Sequence, residues 1–282
     1  MKIAVFADIH GKILLPFKMV DAYQKQYGEK IDLILQCGDI GAFPDIENMD
    51  KATIKHAKRD RQELGFSQQF VYINREIEAF LNKLDINMIC VRGNHEDHDF
   101  LDTKEAQSAE SCFPIDCYHR VYVCKSGMLQ RFVAEDGEDL DFMGIGRIGD
   151  RKNRNEKRFI QEYEKRNINK SIKLGKRLDI LISHDVSEDM TSPGFGMEEL
   201  RPVLNRLKPL VHFYGHTGEA FKVERDINNI TSSVKVKELE FDKAGFLPHG
   251  CMVILDKKGG IIEDEPINVD FMRQFTKQTW DL

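Results

Sequence analysis

The sequence predicts an α/β fold in which two packed mixed β-sheets are flanked by helices. Short apolar runs at 2–7, 31–36 and 87–91 end in turn residues, as buried strands do. Residues 13–27, between the first two runs, have a helical pattern and complete a βαβ unit whose loops share one sheet edge. A second set of short strands begins after residue 118. Together these patterns favour two sheets covered by outer helices.

The first half of the chain contains one long polar stretch. Residues 45–66 are mostly polar, and we interpret them as an insertion over the rim of the sheet. A helix is expected from about residue 68 to residue 84. No internal repeat or low-complexity linker divides the chain, so we expect a single domain over 1–282 with insertions at 45–66 and 151–177.

The second half alternates short strands with two helices. Segments between 118 and 146 are separated by turn residues and predict a three-stranded antiparallel meander. Residues 154–176 are predicted to form a charged helix with a thin apolar stripe. A strand, a helix and a strand are expected next, at 178–182, 197–207 and 210–214. The remainder is predicted to form short strands before a polar tail, at 220–225, 230–240, 251–256 and 261–266.

The composition is that of a globular protein without a membrane segment. Hydrophobic residues make up 41% of the 282 positions, which is enough for a substantial core. No stretch approaches the roughly 18 consecutive apolar residues of a membrane span. The apolar run at 3–7 is shorter than the apolar region of a secretory signal. The six cysteines are scattered without a CxxC pair, which predicts free thiols and a cytoplasmic protein.

Charge is unevenly distributed along the chain. The formal net charge is −6, but residues 151–177 hold eleven Lys or Arg against three Glu, a net of +8 that leaves −14 elsewhere. Such a segment could bind the phosphates of a nucleic acid through Lys165, Arg166 and Lys170. It could equally be an ordinary solvated helix. Only Phe159 and Tyr163 are available there for base stacking, so sequence-specific readout is not expected.

Five short polar motifs each follow an apolar run and therefore project from the rim of a sheet. They are Asp8-Ile9-His10, Gly38-Asp39, Gly93-Asn94-His95-Glu96, Ser183-His184-Asp185 and Gly215-His216-Thr217. Taken singly, each is more common as a turn, a helix cap or a structural histidine. Their joint occurrence favours a metal site. Carboxylate, amide and imidazole ligands without thiolates suit two adjacent divalent ions and metal-assisted phosphoester hydrolysis.

The order and content of these motifs resemble the calcineurin-like metallophosphoesterase superfamily from residue 2 to about residue 256. The resemblance implies a four-layer α/β/β/α sandwich with two divalent metals, and attack on phosphorus by a hydroxide held between them. It assigns the metal ligands as follows: Asp8 and His10 on the first metal, Asp39 bridging, and Asn94, His184 and His216 on the second.

The same resemblance implies that His95 orients a phosphoryl oxygen or protonates the leaving alkoxide. Glu96 or Asp97 could hold its imidazolium, and the sequence leaves that choice open. The ligand set accepts Mn, Fe, Zn or Co, and manganese is the ion expected to support activity in vitro.

One position departs from the family pattern. The fifth motif usually ends in a second histidine that binds the first metal, whereas this chain has Gly218. Water, Glu219 or His249 could complete the shell, or the first metal could be lost. We expect an occupied but weaker first site.

Substrate is indicated by a further similarity, to RNA lariat debranching enzymes. It rests on the segments 31–39, 178–185 and 204–209, the second of which follows the basic stretch. Those enzymes have Cys in place of the first-motif aspartate, retain the second histidine of motif five and extend further at their C-terminus. The sequence thus favours a phosphodiesterase, with nucleic acid as a candidate substrate. A phosphomonoesterase, or a relative that binds phosphate or nucleic acid without turnover, stays open as an alternative.

Overall fold

Two mixed β-sheets pack face to face in the computed structural model, which describes residues 1–281, with helices on their outer faces. The first sheet has seven strands in the order β13-β12-β1-β2-β3-β5-β4. Its strands are β1 (Lys2–Phe6), β2 (Leu33–Gln36), β3 (Met88–Cys90), β4 (Cys112–Pro114), β5 (Val121–Cys124), β12 (Val253–Lys258) and β13 (Ile261–Pro266). The predicted two-sheet α/β class is confirmed.

The second sheet has six strands in the order β10-β11-β9-β8-β7-β6. They are β6 (Leu129–Val133), β7 (Asp139–Ile145), β8 (Ile180–Ser183), β9 (Val211–Tyr214), β10 (Lys222–Arg225) and β11 (Ser232–Lys235). The helices are α1 (Leu14–Tyr27), α2 (Lys51–Ala57), α3 (Arg75–Leu84), α4 (His98–Gln107), α5 (Glu162–Leu174), α6 (Leu200–Leu207) and α7 (Val269–Met272).

One apolar core lies between the two sheets and a larger one lies between the first sheet and its helices. Side chains on alternate positions of β1 and β2, such as Val5 and Leu35, face Ile182 of β8 and Phe213 of β9 across this layer. The other face of β1, including Phe6, packs beneath α1. Because β1, β2 and β3 are parallel neighbours, and β7, β8 and β9 are too, the loops after these strands meet along one edge of the sandwich.

The helix predicted from residue 68 begins later than expected. Residues 66–70 form a π-helical turn, and α3 starts at Arg75 after the side chain of Asn74 accepts hydrogen bonds from the next turn. The Asn74 cap sets the start of α3, because its side chain accepts hydrogen bonds from backbone N–H groups of the first turn. In a continuous helix these groups would bond to carbonyls of the preceding turn.

The predicted meander over 118–146 is wrong in its first strand. β5 pairs with β3 in the first sheet, whereas β6 and β7 form an antiparallel pair in the second. The connection at 125–128 therefore carries the chain between sheets, and Gly127, at φ +78°, donates its N–H to the carbonyl of Gly144 there. Alternation of apolar and polar residues does not distinguish a hairpin from such a crossing.

Two further segments differ from expectation. The charged helix begins at Glu162 instead of 154, because Gln161 and Glu164 form a capping box; the preceding residues are irregular. The predicted polar tail instead buries aromatic side chains, including Phe271, Phe275 and Trp280, against the α1 side of the core. The single-domain division and its two insertions stay predictions.

The six cysteines are all free thiols, and four of them are buried. Cys112 and Cys124 face each other across β4 and β5 with their sulfurs 3.5 Å apart. Within residues 1–281, no helix has both the length and the apolar content needed to cross a membrane. The cytoplasmic location stays a prediction.

Buried His212 predicts a pH-dependent stability. Its Nε2 lies 2.7 Å from Ser183 Oγ, and burial lowers its pKa to about 3, well below the ordinary value near 6.5. As the pH falls, His212 is therefore protonated in the unfolded chain before it is protonated in the folded one. Its contribution to the free energy of unfolding is complete above pH 6.5 and is lost as the pH falls toward 3. We expect the free energy of unfolding of wild type to lose about 2 kcal/mol more than His212→Asn between pH 7 and pH 5.

Urea titrations at several pH values measure this difference. The matched control is His119→Asn, because His119 is exposed on the turn before β5 and should leave the pH dependence as in wild type. Equal slopes for wild type and His212→Asn would contradict the assignment.

Candidate metal centre

Loops from both sheets are tied together at one edge of the sandwich. After β1 and β2, His10 donates its backbone N–H to Asp39 O at 2.9 Å, and Asp8 donates to Gly38 O at 3.1 Å. The loop after β3 joins them, because the backbone N–H groups of Asn94 and His95 both donate to Asp39 Oδ1 at 2.8 Å. The first three motifs therefore form one hydrogen-bonded unit.

The loops after β8 and β9 close the site from the second sheet. His216 donates its backbone N–H to Asp8 Oδ2 at 3.1 Å. His184 Nε2 lies 3.4 Å from Asp39 Oδ1 and 3.0 Å from Asn94 Oδ1, and its ring centroid is 4.8 Å from that of His216. All six predicted ligands are thus brought together, although they are scattered over two hundred positions of sequence.

Three of these residues form a compact donor cluster. One ligand atom each from Asp8, His10 and Asp39 lies within 4.8 Å of the others. Both aspartates are buried, with 3% exposure. Burial raises the pKa of Asp8 to about 7, and the neighbouring Asp39 carboxylate adds to the effect. A cation between these groups would remove that penalty, so the donor set fits a divalent metal.

The geometry of His184 also fits a metal ligand. Its Nδ1 lies 2.9 Å from Cys37 O, a contact in which the ring donates and the carbonyl accepts. The other ring nitrogen, Nε2, then faces oxygen atoms of Asp39 and Asn94. Unless the ring is protonated, Nε2 has no hydrogen to donate to either oxygen. A ligating histidine commonly has this arrangement, with one ring nitrogen on the metal and the other on a backbone carbonyl.

The surroundings of Asp39 favour its ionised form, whereas those of His216 favour its neutral form. Burial opposes ionisation of Asp39, but the imidazoles of His184, His10 and His95 outweigh it and hold its pKa below the usual value. Burial, reinforced by His184, lowers the pKa of His216 to about 3 and keeps this ring neutral. Ionised Asp39 and neutral His216 are the protonation states that metal ligands need.

The backbone of the site is strained. Asp8, His10, Asp39 and His216 have φ values of +45°, +41°, +52° and +62°, in the left-handed region that non-glycine residues rarely adopt. Four such residues within one cluster indicate that the fold is imposing these conformations to aim the side chains.

The third motif also supplies a histidine with an unexpected partner. His95 Nδ1 lies 2.9 Å from Asp50 Oδ2, and Asp50 caps α2 in the polar segment at 45–66. Burial alone would lower the pKa of His95, but the hydrogen bond to Asp50 and the charge of Asp39 raise it to about 9. The carboxylates of Asp50 and Asp39 therefore favour the protonated ring.

The predicted partners of His95 have other roles. Glu96 accepts hydrogen bonds from the backbone N–H groups of Ile40, Ala42 and Gly93, and so stabilises the loops after β2 and β3. Asp97 caps α4. Neither holds the imidazolium. Asp50 lies 45 residues upstream in a polar segment without a motif, so no local signal identifies it.

A cleft of about 520 Å³ opens over the cluster. Ligand residues line one part of it, and the polar segment 45–66 supplies another wall through Thr53, His56 and Glu63. Gly218, Lys237, Glu238 and Glu240 complete the lining, and Glu240 was not singled out by the sequence. A larger cleft, of about 770 Å³, lies along α1 and β13 and contains none of the six ligands assigned by the family resemblance.

The two residues suggested as replacements for the missing histidine lie elsewhere. His249 lines the larger cleft and packs its ring against Phe221. Glu219 pairs with Lys222 at 3.1 Å and does not line the metal cleft.

Part of the basic segment reaches this centre. The Arg151 guanidinium lies 4.5 Å from the centre of the Phe195 ring, which stacks at 14° on His216 with 6.4 Å between centroids. On α5, by contrast, Lys165 is paired with Glu162 and Glu199, and Arg166 and Lys170 are exposed. The irregular stretch before the helix is therefore the part that is linked, through Phe195, to His216, one of the predicted ligands.

Comparison with known proteins agrees with this geometry. The family model for calcineurin-like phosphoesterases matches residues 1–220. A lariat debranching enzyme of Arabidopsis thaliana is 29% identical over 101 residues, which are 36% of this chain and 22% of that protein. The chain thus matches about a fifth of that relative.

Solved structures show the same fold. One aligns over 95% of this chain and 99% of its own, with a TM-score of 0.55 and 16% identity. The protein TT1561 of Thermus thermophilus aligns over the same shares with a TM-score of 0.51 and 12% identity. The family model covers well over half of the sequence, and the chain belongs to the calcineurin-like phosphoesterase family of metal-dependent hydrolases.

Proposed function

We propose that this phosphoesterase hydrolyses a phosphodiester, with a nucleic acid as the substrate class. The observation that carries the proposal is the convergence of four further oxygen and nitrogen donors on the buried carboxylates of Asp8 and Asp39, beside a histidine held by Asp50. Asp8 and His10 would hold the first metal, Asn94, His184 and His216 the second, and Asp39 would bridge them. Bound divalent ions would supply the attacking hydroxide at neutral pH by lowering the pKa of water from 15.7 toward about 7.

His95 is the proposed general acid. Asp50 holds Nδ1 of the imidazolium, which leaves the proton on Nε2 for transfer to the leaving oxygen. His95 lines the cleft with its ring centroid 5.9 Å from that of His10, so the acid stands beside the proposed first metal position. The carboxylate of Asp50 both orients the ring and keeps it charged before transfer.

A nucleic-acid substrate is supported by the position of Arg151. The Arg151 guanidinium packs on Phe195, and the Phe195 ring in turn stacks on His216. Because Arg151 is also exposed, its guanidinium could contact a phosphate next to the scissile one. The partial match to a lariat debranching enzyme supports the same substrate class.

The direct test is a panel of esters assayed with Mn²⁺. Hydrolysis of bis(p-nitrophenyl) phosphate and of linear or branched oligonucleotides, faster than of p-nitrophenyl phosphate, is the expected result. Preference for the monoester would instead favour a phosphomonoesterase. No turnover of any ester by metal-loaded protein would favour a binding protein.

Replacing His95 separates acid catalysis from metal binding. We expect His95→Ala to lower kcat on the diester by about 10²–10³-fold, because one preorganised group that stabilises developing charge is removed. Metal content should be retained. Asp39→Ala is the comparison, and there both activity and metal should be lost. Full activity of His95→Ala would refute the acid assignment.

Asp50→Asn tests the positioning of that acid. The amide preserves the cap of α2, so stability and metal content should not change, but it removes the charge that holds the imidazolium. We expect kcat to fall about 10–100-fold, the size of effect seen for residues that orient a ligand or catalyst. In the His95→Ala background the same change should have no further effect.

The matched control is Asp45→Asn. Asp45 caps the preceding 3₁₀ turn at Ile46–Asn48 in the same polar segment, and the structure records no contact between it and His95 in residues 1–281. An equal loss of activity in both variants would mean that the segment, and not the Asp50 carboxylate, is responsible.

Salt titration of oligonucleotide binding tests the Arg151 contact. Arg151→Gln should reduce the slope of log Kd against log salt by about 1, because one phosphate contact is lost. Phe195→Leu should have a similar effect by releasing the guanidinium. Arg166→Gln on α5 removes the same charge farther along the basic segment. A larger effect of Arg166→Gln than of Arg151→Gln would place the phosphate track on the helix instead.

A further inference from the structure

The first metal position has a gap in its ring of donors. Asp8, His10 and Asp39 supply three ligand atoms within 4.8 Å of one another. Divalent transition metals in such sites usually take at least four ligands, and a site with fewer protein donors holds its ion weakly. A fourth protein ligand would therefore decide whether this position retains its ion.

Gly218, where the family pattern has a second histidine, lines the same cleft. It has φ +70°, and a Cβ built on it would meet no atom within 4 Å. Its carbonyl accepts a hydrogen bond from Lys237 Nζ at 3.0 Å, and no side chain of its own fills this part of the cleft.

Glu240 lines the same cleft and supplies a carboxylate beside His10. Its Oε1 lies 3.9 Å from His10 Nε2, the same distance that separates His10 Nε2 from Asp39 Oδ2. Among the described residues, Asp39 and Glu240 supply the carboxylates within 4 Å of a ring nitrogen of His10. His10 Nε2 thus has two carboxylates at equal distances, as expected of a nitrogen that shares a cation with both.

The backbone fixes Glu240 in this position. Leu239 donates its N–H to the carbonyls of Ala7 and Asp8 at 3.2 Å, and Glu238 forms a bridge with Ala7. The segment before Glu240 therefore runs beside the first motif as a continuation of its hydrogen bonding. Glu240 itself lies outside the 4.8 Å donor cluster, so its side chain would have to move toward Asp8 and Asp39 to bind the same metal, from a backbone that is already fixed.

The other acids in the cleft are less suited. Glu238 is paired with both Lys235, at 3.0 Å, and Lys237, so its charge is already matched. Glu63 is buried, and burial raises the pKa of its carboxyl to about 7. The Glu240 side chain, by contrast, keeps 48% of its surface exposed and has no ion pair with a lysine or arginine in residues 1–281.

We propose that Glu240 is the fourth protein ligand of the first metal and takes the place of the histidine absent at Gly218. This inference rests on the proposed function, since it requires a metal at Asp8, His10 and Asp39. A carboxylate is a harder donor than imidazole, so three carboxylates and one imidazole should bind Mn²⁺ better, relative to Zn²⁺, than a site with a second histidine.

Metal binding without any assay of activity tests the proposal. Apo-protein is titrated with Mn²⁺, and free Mn²⁺ is followed by electron paramagnetic resonance. Wild type should bind two ions, whereas Glu240→Gln should bind one with unchanged affinity and the other about 10²-fold more weakly. Glu219→Gln is the matched control, because it removes the same charge from the neighbouring loop outside the cleft.

A second variant supplies a gain of function. Gly218→His in the Glu240→Gln background should restore two-ion binding and shift the preference toward Zn²⁺, because an imidazole then fills this part of the cleft. The left-handed backbone there is one that histidine tolerates in this site, as His216 shows at φ +62°. Melting of the apo-proteins confirms that each variant is folded.

The possible results test the role of Glu240 and the proposed function separately. Two ions bound with wild-type affinity by Glu240→Gln would overturn the role of Glu240 and leave the proposed function standing. Equal weakening in Glu219→Gln would also overturn it, since loss of general negative charge would then explain the effect. Failure of wild type to bind any ion would instead refute the proposed function itself.

Discussion

The Asp39 carboxylate is the group on which the rest of the site depends. It is almost fully buried, it accepts backbone N–H groups from Asn94 and His95, and it lies 3.4 Å from His184. One side chain thereby joins the loops after β2 and β3 in the first sheet to the loop after β8 in the second. Burying such a charge is expensive unless it is matched. The imidazoles around it do so in part, and two divalent cations would complete the balance.

The fold meets this requirement through parallel strands in both sheets. Because neighbouring strands run in the same direction, their carboxyl ends deliver polar loops to one edge, and the packing of the sheets brings the two sets of loops into contact. Hydrogen bonds between these loops stabilise the strained backbone conformations of Asp8, His10, Asp39 and His216. Rigid placement of donors before any ion arrives is what a metal site needs for affinity and for catalysis.

Much of the architecture could be predicted because its signals are local. Apolar runs that end in polar motifs marked the strands β1, β2, β3, β8 and β9 and the six candidate ligands. Features that depend on distant contacts could not be found in this way. Asp50 meets His95, and Glu240 meets His10, only through folding, and neither stands in a distinctive pattern. The crossing of the chain after β5 and the burial of Phe271 and Trp280 are likewise decided by tertiary packing, which alternation of residue types does not encode.

Anomalous diffraction from crystals grown with Mn²⁺ would show whether ions bind at Asp39. We expect two peaks about 3.5–4 Å apart on either side of the Asp39 carboxylate, one next to His184 and His216 and the other next to Asp8 and His10. Clear density for the protein with no anomalous peak at Asp39, or with ions bound only elsewhere, would contradict it.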